Sequence, residues 1–356
     1  MRKFKVAVIF GGNSSEHEVS RISARNVINN LDKDKYEIFV IGITKSGEWL
    51  LYSGGTDKLD NGEWEKSGVH KAIISPDAGD KCMIVFRGGT FEKVQLDAAF
   101  LVLHGKNGED GSVQGLLQLA GIPYTGPGLL ASALCMDKAN SKLILEAAGI
   151  PVARWITVQS AELADPAAVV ARVGQKFTYP VFVKPSGAGS SIGAGRVGSP
   201  DELVPALEYA LQYDTKALVE ENIDAREIEC GLIGNGEPRV ALLGEVVTGN
   251  AFYDFEAKYV AGKAEAVIPA PVGDEKTAEI NDIAKRAYLA MDCRGMTRID
   301  FFLEKGTERV ILNELNTIPG CTDSSMFPVL WQKSGLTFTA LLDEILAYAM
   351  EGDMIG

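Results

Sequence analysis

Hydrophobic runs and the residues that interrupt them divide the chain into successive patterns. Near-continuous apolar stretches at 4–10 (FKVAVIF), 36–44 (YEIFVIGIT) and 96–105 (LDAAFLVLHG) predict strands, with helices running to about Leu31 and over 112–120, the latter opened by Ser112. Apolar strands alternating with helices predict a parallel sheet covered on both faces, an α/β class. Residues 53–80, rich in Gly, Asp and Lys, read as an insertion or a poorly packed surface hairpin.

After PYTGPG at 123–128 the pattern changes. DKANSKLILEAAGI reads as a helix that stops at Gly149 with Pro151 behind it. YPVFVKPSGAGSSIGAGRVGSPDEL gives strand, glycine-rich loop, strand, and a helix started by Ser199 and Pro200; ALVEENI is a further strand. From about Arg226, strands at 227–233, 239–247, 297–304 and 309–316 surround a helix at 274–291, and a last helix covers 335–350. These shifts place domain boundaries near 126 and 223, giving 1–126, 127–223 and 224–356.

The last strand pair, RIDFFLEKGTERVILNELNTIPG, carries the densest chemistry. Alternation puts Arg298, Asp300 and Phe302 on one face of its first strand, and Val310, Leu312, Glu314 and Asn316 on one face of its second. If those faces align, a cation, two carboxylates and an amide converge. Three oxygen donors without a soft ligand suit a hard cation such as Mg²⁺, which takes few carboxylates and completes its shell with water and phosphate. Apolar flanks predict a half-buried hairpin, where carboxylates need neutralising by Arg298 alone or by Arg298 and a metal.

Composition removes several classes. The chain has 356 residues, 46% hydrophobic, with net charge −13. That length supports two or three cores, and the acidic balance argues against a nucleic-acid partner. No run reaches the ~18 apolar residues of a membrane span. The opening MRKFKVAVIFGG is too short in apolar length for a signal peptide, so a cytoplasmic protein is expected. Five cysteines without CxxC spacing suit free thiols in a reducing compartment, and three histidines make a histidine-built zinc site improbable.

Other stretches add smaller pieces. Lys184 closes a buried strand before Gly187–Gly193, where small residues let backbone amides approach phosphate oxygens. No GxxxxGK[ST] is present; GAGRVG at 193–198 matches a dinucleotide string but precedes a helix cap rather than opening a helix. Glu220 and Glu221 end a strand at a domain junction, with Glu227 beyond, positions able to accept from an adenine amine and ribose hydroxyls. In GGNSSEHEVS, Asn13 or Ser14 reads as the helix cap and Glu16 as a first-turn acid, leaving the glycine pair unexplained unless a ligand lies on the backbone. His104 stands at the carboxyl end of a buried strand, where open α/β sheets bind ligands. AFYDFEAKY at 251–259 reads as a core plug or a lid.

In that order, with VAVIFGGNSSEHEVS, LHGKNGEDGSVQGLLQLAGIPYTG, CMDKANSK, VKPSGAGSSIG, FYDFEAKY, RID and NELNTIPG, the chain resembles the D-alanine–D-alanine ligase family of ATP-grasp enzymes along nearly its whole length. The resemblance implies three α/β domains, an N-terminal parallel-sheet domain among them, with ATP between the central and C-terminal ones. It implies Lys138 and Lys184 on the α- and β-phosphates with Ser191 of the loop beside them, and Glu220, Glu221, Ile223 and Glu227 around adenosine. Asp300, Glu314 and Asn316 would hold two Mg²⁺ (or Mn²⁺), and Lys258 the γ-phosphate. Arg298 and the Gly320 N–H would stabilise an oxyanion. Glu16 would grip the first D-alanine, helped by His104; Ser325 and the Met326 backbone would take the second carboxylate. Tyr259, Ser190 and Glu16 would form a trio linking lid, phosphate loop and N-terminal domain. A homodimer follows from the same resemblance, and a monovalent cation is allowed by it.

Two departures stand out. CTDSSMFP replaces the run many relatives have after PG and puts Asp323 near the second-substrate pocket; Glu221 stands where a lysine often follows the first glutamate. The acceptor is read as D-alanine from Met326 and Tyr259. D-serine and D-lactate stay as alternatives, because GGNSSEHEVS and IGITKSGEW look like the D-serine branch. A regulatory protein on a dead scaffold is disfavoured, since every metal and phosphate position is filled.

Overall fold

The computed structural model describes residues 2–248 and 264–351. The chain opens with β1 (Phe4–Gly11), α1 (His17–Asn30) and β2 (Tyr36–Ile43). Then come β3 (Trp49–Tyr52), β4 (Val69–Ile74), β5 (Cys82–Arg87), β6 (Thr90–Gln95) and β7 (Ala98–Leu103). All join one sheet in the order β6-β5-β4-β3-β2-β1-β7. The expected parallel core exists, with β1 parallel to β2 and β7, but the strands from β3 outward are antiparallel.

Residues 53–80 are therefore not a poorly packed hairpin: β4 joins the sheet, and Leu59, Trp64, Ala72 and Ile74 are buried. A tight turn at Glu63–Lys66 drives Trp64 into the core at 0% exposure, edge-on to Phe10 with centroids 4.9 Å apart. Gly42 makes the room, because a Cβ there would lie 2.2 Å from the indole. Trp64→Ala is expected to cost about 3–5 kcal/mol through the cavity it leaves. The check is a urea midpoint lowered with little change in slope.

The middle of the chain contributes α2 (Ser112–Leu119), opened by Ser112 as expected with Gly111 at the cap position, α3 (Leu129–Met136) and α4 (Lys138–Ala147). It continues with β8 (Trp155–Gln159), α5 (Pro166–Lys176), β9 (Val181–Pro185), β10 (Gly195–Val197), α6 (Pro200–Ala210) and β11 (Lys216–Glu221). The second sheet runs β10-β9-β11-β8, antiparallel throughout. GAGRVG lies in β10 and its approach, and Ser199 is the α6 cap, so no helix opens on those glycines. β8 and α5 are additions to the sequence reading.

The third sheet holds β12 (Ala225–Gly234), β13 (Arg239–Val240), β14 (Gly244–Thr248), β15 (Ala264–Val267), β16 (Gly295–Glu304) and β17 (Val310–Asn316). The predicted strand at 239–247 is broken at 241–243. Helix α7 (Asp274–Ala290) packs on this sheet; α9 (Phe338–Glu351) is the last helix expected at 335–350, and α8 (Met326–Lys333) before it is an addition to the sequence reading. Phe327, Trp331 and Leu342 of the last two helices share one core with Phe10 and Phe100 of the first sheet. Ala131, Cys135 and Leu145 pack with Ile228, Phe301 and Leu312 of the third. The first of these cores ties the first and third sheets together, and the candidate site lies beside that junction. No described helix is long and apolar enough to cross a membrane, and all five cysteines are buried free thiols.

Candidate active site

The cleft is built from the end of the β16–β17 hairpin. Arg298 pairs with Asn316 and Asp300 with Glu314, and the register then slips so that Phe301 faces Leu312. Asn313 is the extra residue of a β-bulge. The slip corrects the simple alternation: Val310 and Leu312 lie opposite Leu303 and Phe301 in the core, not on the face of Glu314 and Asn316. One strand thus serves an apolar core below the bulge and a polar cleft above it.

On the polar face, Arg298 donates from Nε and Nη2 to both oxygens of Asp300, each at 2.7 Å. Its Nε also lies 2.9 Å from buried Glu229, opposite Asp300 on β12. Asn316 donates to Asp300 Oδ2 at 2.9 Å, which leaves its carbonyl oxygen as the outward acceptor. Among the described residues no group of three His, Cys, Asp or Glu could hold a metal. Two carboxylates and an amide oxygen nevertheless fit a hard divalent cation that takes its remaining ligands from water and phosphate. Glu314 is the accessible member, 22% exposed, with Lys138 Nζ at 3.5 Å.

Lys138 opens α4, whose cap is Asp137, and also donates to the Ala188 carbonyl at 2.9 Å. Asp137 accepts from Ser186 and Lys216, each at 2.6 Å, and so holds the start of the glycine loop. Ser190 and Ser191 both adopt positive φ, 51° and 58°. Lys184 is 2.9 Å from Glu220 and 3.4 Å from Asn313. Adjacent residues of β17, Asn313 and Glu314, therefore touch both lysines.

Glu220 is enclosed between Lys184 and Lys142. Burial alone would raise its pKa, but the two ammonium groups hold it below the usual value. Glu221 accepts from Arg154 N at 2.9 Å and Arg154 Nε at 2.8 Å, with Arg309 at 3.4 Å. Ile223 and Glu227 are half-buried beside the β11–β12 connection.

From the first sheet, Glu16 reaches the loop. It stands at the α1 cap position itself, and its side chain makes no cap bond; it accepts instead from Ser190 Oγ. A Cβ at Gly105 would meet Glu16 Oε2 at 2.7 Å, and one at Gly189 would meet it at 3.0 Å. The glycine pair has a local reason that needs no ligand: a Cβ on Gly11 would fall 2.2 Å from the Ile43 carbonyl.

His104 is buried and hydrogen-bonded through both nitrogens, Nδ1 with Ile318 O at 3.0 Å and Nε2 with Ser23 at 3.4 Å. Burial holds its pKa below the usual histidine value. Glu109 accepts from Gly105 N at 2.8 Å and Ile318 N at 3.1 Å. His104 and Glu109 thus clamp both sides of Ile318, two residues before Gly320. Ser325 stands at the α8 cap position without a side-chain cap bond and instead bonds Thr322 Oγ1 at 2.7 Å; a Cβ on Gly320 would lie 2.8 Å from Ser325 Oγ. Met326 begins α8. Asp323 is 75% exposed and pairs with Arg25 at 3.3 Å, away from the cleft. Lys258 and Tyr259 lie outside the described residues.

Burial, and next the charge of Glu16, push Glu109 up to about 8. A carboxyl whose folded value exceeds its unfolded one holds a proton that the unfolded chain has released. Stability therefore falls as pH rises from about 4.5 to about 8, by at most about 1.4 kcal/mol per pH unit, and levels off above. Glu109→Gln is expected to flatten that slope in urea midpoints measured from pH 5 to 9.

Lys142, Glu229, Glu109 and Asn313 were not singled out from sequence. Lys142 follows Lys138 at helical spacing, and Glu229 follows Glu227 on the same strand face; both signals are weak without the fold.

Comparison with known proteins bears on this geometry. Family models described as D-ala D-ala ligase N-terminus and C-terminus match residues 5–127 and 144–347. The chain is 49% identical over 352 residues to a D-alanine–D-alanine ligase of Thermoanaerobacter sp. (strain X514), covering 99% of this chain and 98% of that one. It resembles the crystal structure of VanG D-Ala:D-Ser ligase from Enterococcus faecalis, at TM-score 0.89 and 36% identity over 98% of this chain and 100% of that one. It also resembles the D-alanine–D-alanine ligase of Coxiella burnetii, at TM-score 0.86 and 32% identity over 100% and 96%.

Proposed function

The chain belongs to the D-alanine–D-alanine ligase family, and from that premise we propose that it joins two D-alanines at the expense of ATP, supplying a peptidoglycan precursor. The observation that carries the reading is the convergence of Arg298, Asp300, Glu314 and Asn316 beside Lys138.

A carboxylate is a poor electrophile, so one D-alanine must accept the γ-phosphoryl group, giving an acyl phosphate and ADP, before the second amine attacks. Glu220, Ile223 and Glu227 line the adenosine site, with Glu221 at its rim. Lys138, Lys184 and Ser191 hold the phosphates, and Lys258 the γ-phosphate. Asp300, Glu314 and Asn316 would hold two divalent cations, Mg²⁺ or Mn²⁺, whose chemistry is to neutralise charge on the phosphate oxygens. Glu16 fixes the first ammonium and is itself oriented by Ser190, with Tyr259 completing the trio. His104 acts through Ile318, holding the turn that carries Gly320. Arg298 and the Gly320 N–H take the tetrahedral oxyanion. Ser325 and the Met326 backbone receive the second carboxylate. The acyl phosphate has to be kept from water; the stretch 251–259, read from the sequence as a core plug or a lid, lies outside the described residues.

The domain limits near 126 and 223 are supported by strand ends: β7 stops at Leu103 with its last bridge at Tyr124, and β11 stops at Glu221 before β12. The active form is read as a cytoplasmic homodimer joined through the N-terminal region, checked by sedimentation velocity, and a K⁺ titration checks the monovalent cation.

A D-serine acceptor is the second reading, favoured by the likeness to VanG D-Ala:D-Ser ligase. ADP release with ATP, Mg²⁺ and D-alanine alone, against D-alanine plus D-serine or D-lactate, separates them, with products resolved by mass. Dipeptide from D-alanine alone supports the main reading. Turnover only with a second partner moves the function to the resistance type, and no turnover with any removes it.

A further inference from the structure

We propose that Lys142 is a positioning residue for nucleotide binding: it is the standing counter-ion of Glu220 that leaves Lys184 able to turn to a phosphate. The inference rests on the nucleotide reading of the cleft. Lys142 lies one turn beyond Lys138 on α4 and is 2% exposed. Its Nζ is 3.1 Å from Glu220 Oε1, while Lys184 Nζ is 2.9 Å from Glu220 Oε2. One buried carboxylate is thus shared by two ammonium groups, and the cluster carries a surplus positive charge. The other carboxylate acting on Lys142, Glu146, is exposed on the α4 surface and screened by water, and Glu314 beyond Asn313 is paired with Lys138.

Two consequences follow from burial. A surplus charge in a poorly solvated place is unfavourable until an anion completes it, so the cluster is incomplete without a phosphate. The second concerns what happens when Lys184 leaves. In a simple pair, drawing Lys184 onto a phosphate would strand Glu220 as an unpaired buried carboxylate, which is strongly unfavourable. With Lys142 in place, Glu220 keeps a partner and Lys184 is transferable. Lys142 is placed to act without touching the phosphate: it faces Glu220, and its other polar neighbour is the Ala153 carbonyl at 3.5 Å.

The test compares dissociation constants of adenosine and ADP by calorimetry for wild type, Lys142→Met and Lys142→Met/Glu220→Gln, with urea midpoints verifying that each is folded. The phosphate contribution is the ratio of the two constants. Lys142→Met removes the surplus and closes the Glu220–Lys184 pair, so the ratio should fall about tenfold. The KM for ATP should rise by a similar factor, with kcat at saturating ATP within about twofold. The double variant restores the surplus on Lys184 alone, and the ratio should return to the wild-type value even if adenosine itself binds less well. A purely structural role predicts no such return. An unchanged ratio in Lys142→Met, or no recovery in the double variant, overturns the proposal while leaving the nucleotide site intact. A wild-type protein that binds ADP no more tightly than adenosine overturns the nucleotide reading and the proposal with it.

Discussion

Arg298→Met is expected to lower dipeptide synthesis by about 10²–10³-fold, the usual effect of removing one oxyanion-stabilising group. It is also expected to destabilise the fold by at most about 3–5 kcal/mol, because buried Glu229 and half-buried Asp300 both lose the arginine they share. The two effects separate with Arg298→Lys. An ammonium keeps the charge but cannot reproduce the fork that meets both oxygens of Asp300 while lying against Glu229. Stability should recover in large part, whereas turnover should stay low, since a point charge drawn toward the two acids is withdrawn from the oxyanion. ADP release and urea midpoints on the same preparations provide the check. Normal turnover in Arg298→Lys would remove the oxyanion role and leave the arginine as a structural counter-ion.

How far the sequence reaches is visible in that hairpin. The convergence of Arg298, Asp300, Glu314 and Asn316 was legible because charged residues recur at spacing two inside apolar flanks. The bulge at Asn313 was not. Val310, Ile311 and Leu312 are apolar on both faces, so alternation holds no record of where the phase breaks. Other misses had usable signals. Arg87-Gly88-Gly89-Thr90 is a two-residue hairpin turn between β5 and β6, both glycines at positive φ, and Asp165-Pro166 is a helix start. The density of charge in 53–95 masked the first, because edge strands exposed on one face look like loop.

Side-chain partners are a different matter. Nothing local distinguishes Glu220, buried between two lysines, from Glu221, tied to Arg154 and Arg309 on the rim. Successive strand positions face opposite ways, and only the fold shows that Glu220 faces Lys142 of α4 while Glu221 faces Arg154. Asp323 illustrates the same limit. Its position after PG suggested the acceptor pocket, yet it leans outward to Arg25 of α1, so the departure in CTDSSMFP is a surface tie between the first and third sheets.

Glu314→Gln should leave stability nearly unchanged, unlike Arg298→Met, with a comparable loss of activity. Glu314 is the accessible carboxylate of the pair, directly across the ladder from Asp300, and like charges placed so repel. Removing its charge relieves that repulsion and gives up the attraction of Glu314 to Lys138 at 3.5 Å and to Arg298, two opposing effects, so the urea midpoint should stay close to that of the wild type. Catalysis has no such offset. If Asp300, Glu314 and Asn316 are the protein's donors, as proposed, loss of the Glu314 charge removes half the negative charge they offer a divalent cation. Turnover should fall by about 10³-fold, equivalent to about 4 kcal/mol of transition-state stabilisation. The Mg²⁺ concentration for half-maximal rate should move upward in the same titration. A variant that keeps wild-type turnover and Mg²⁺ dependence would show that the cations are held without Glu314, and the acidic hairpin would then be explained by Arg298 alone.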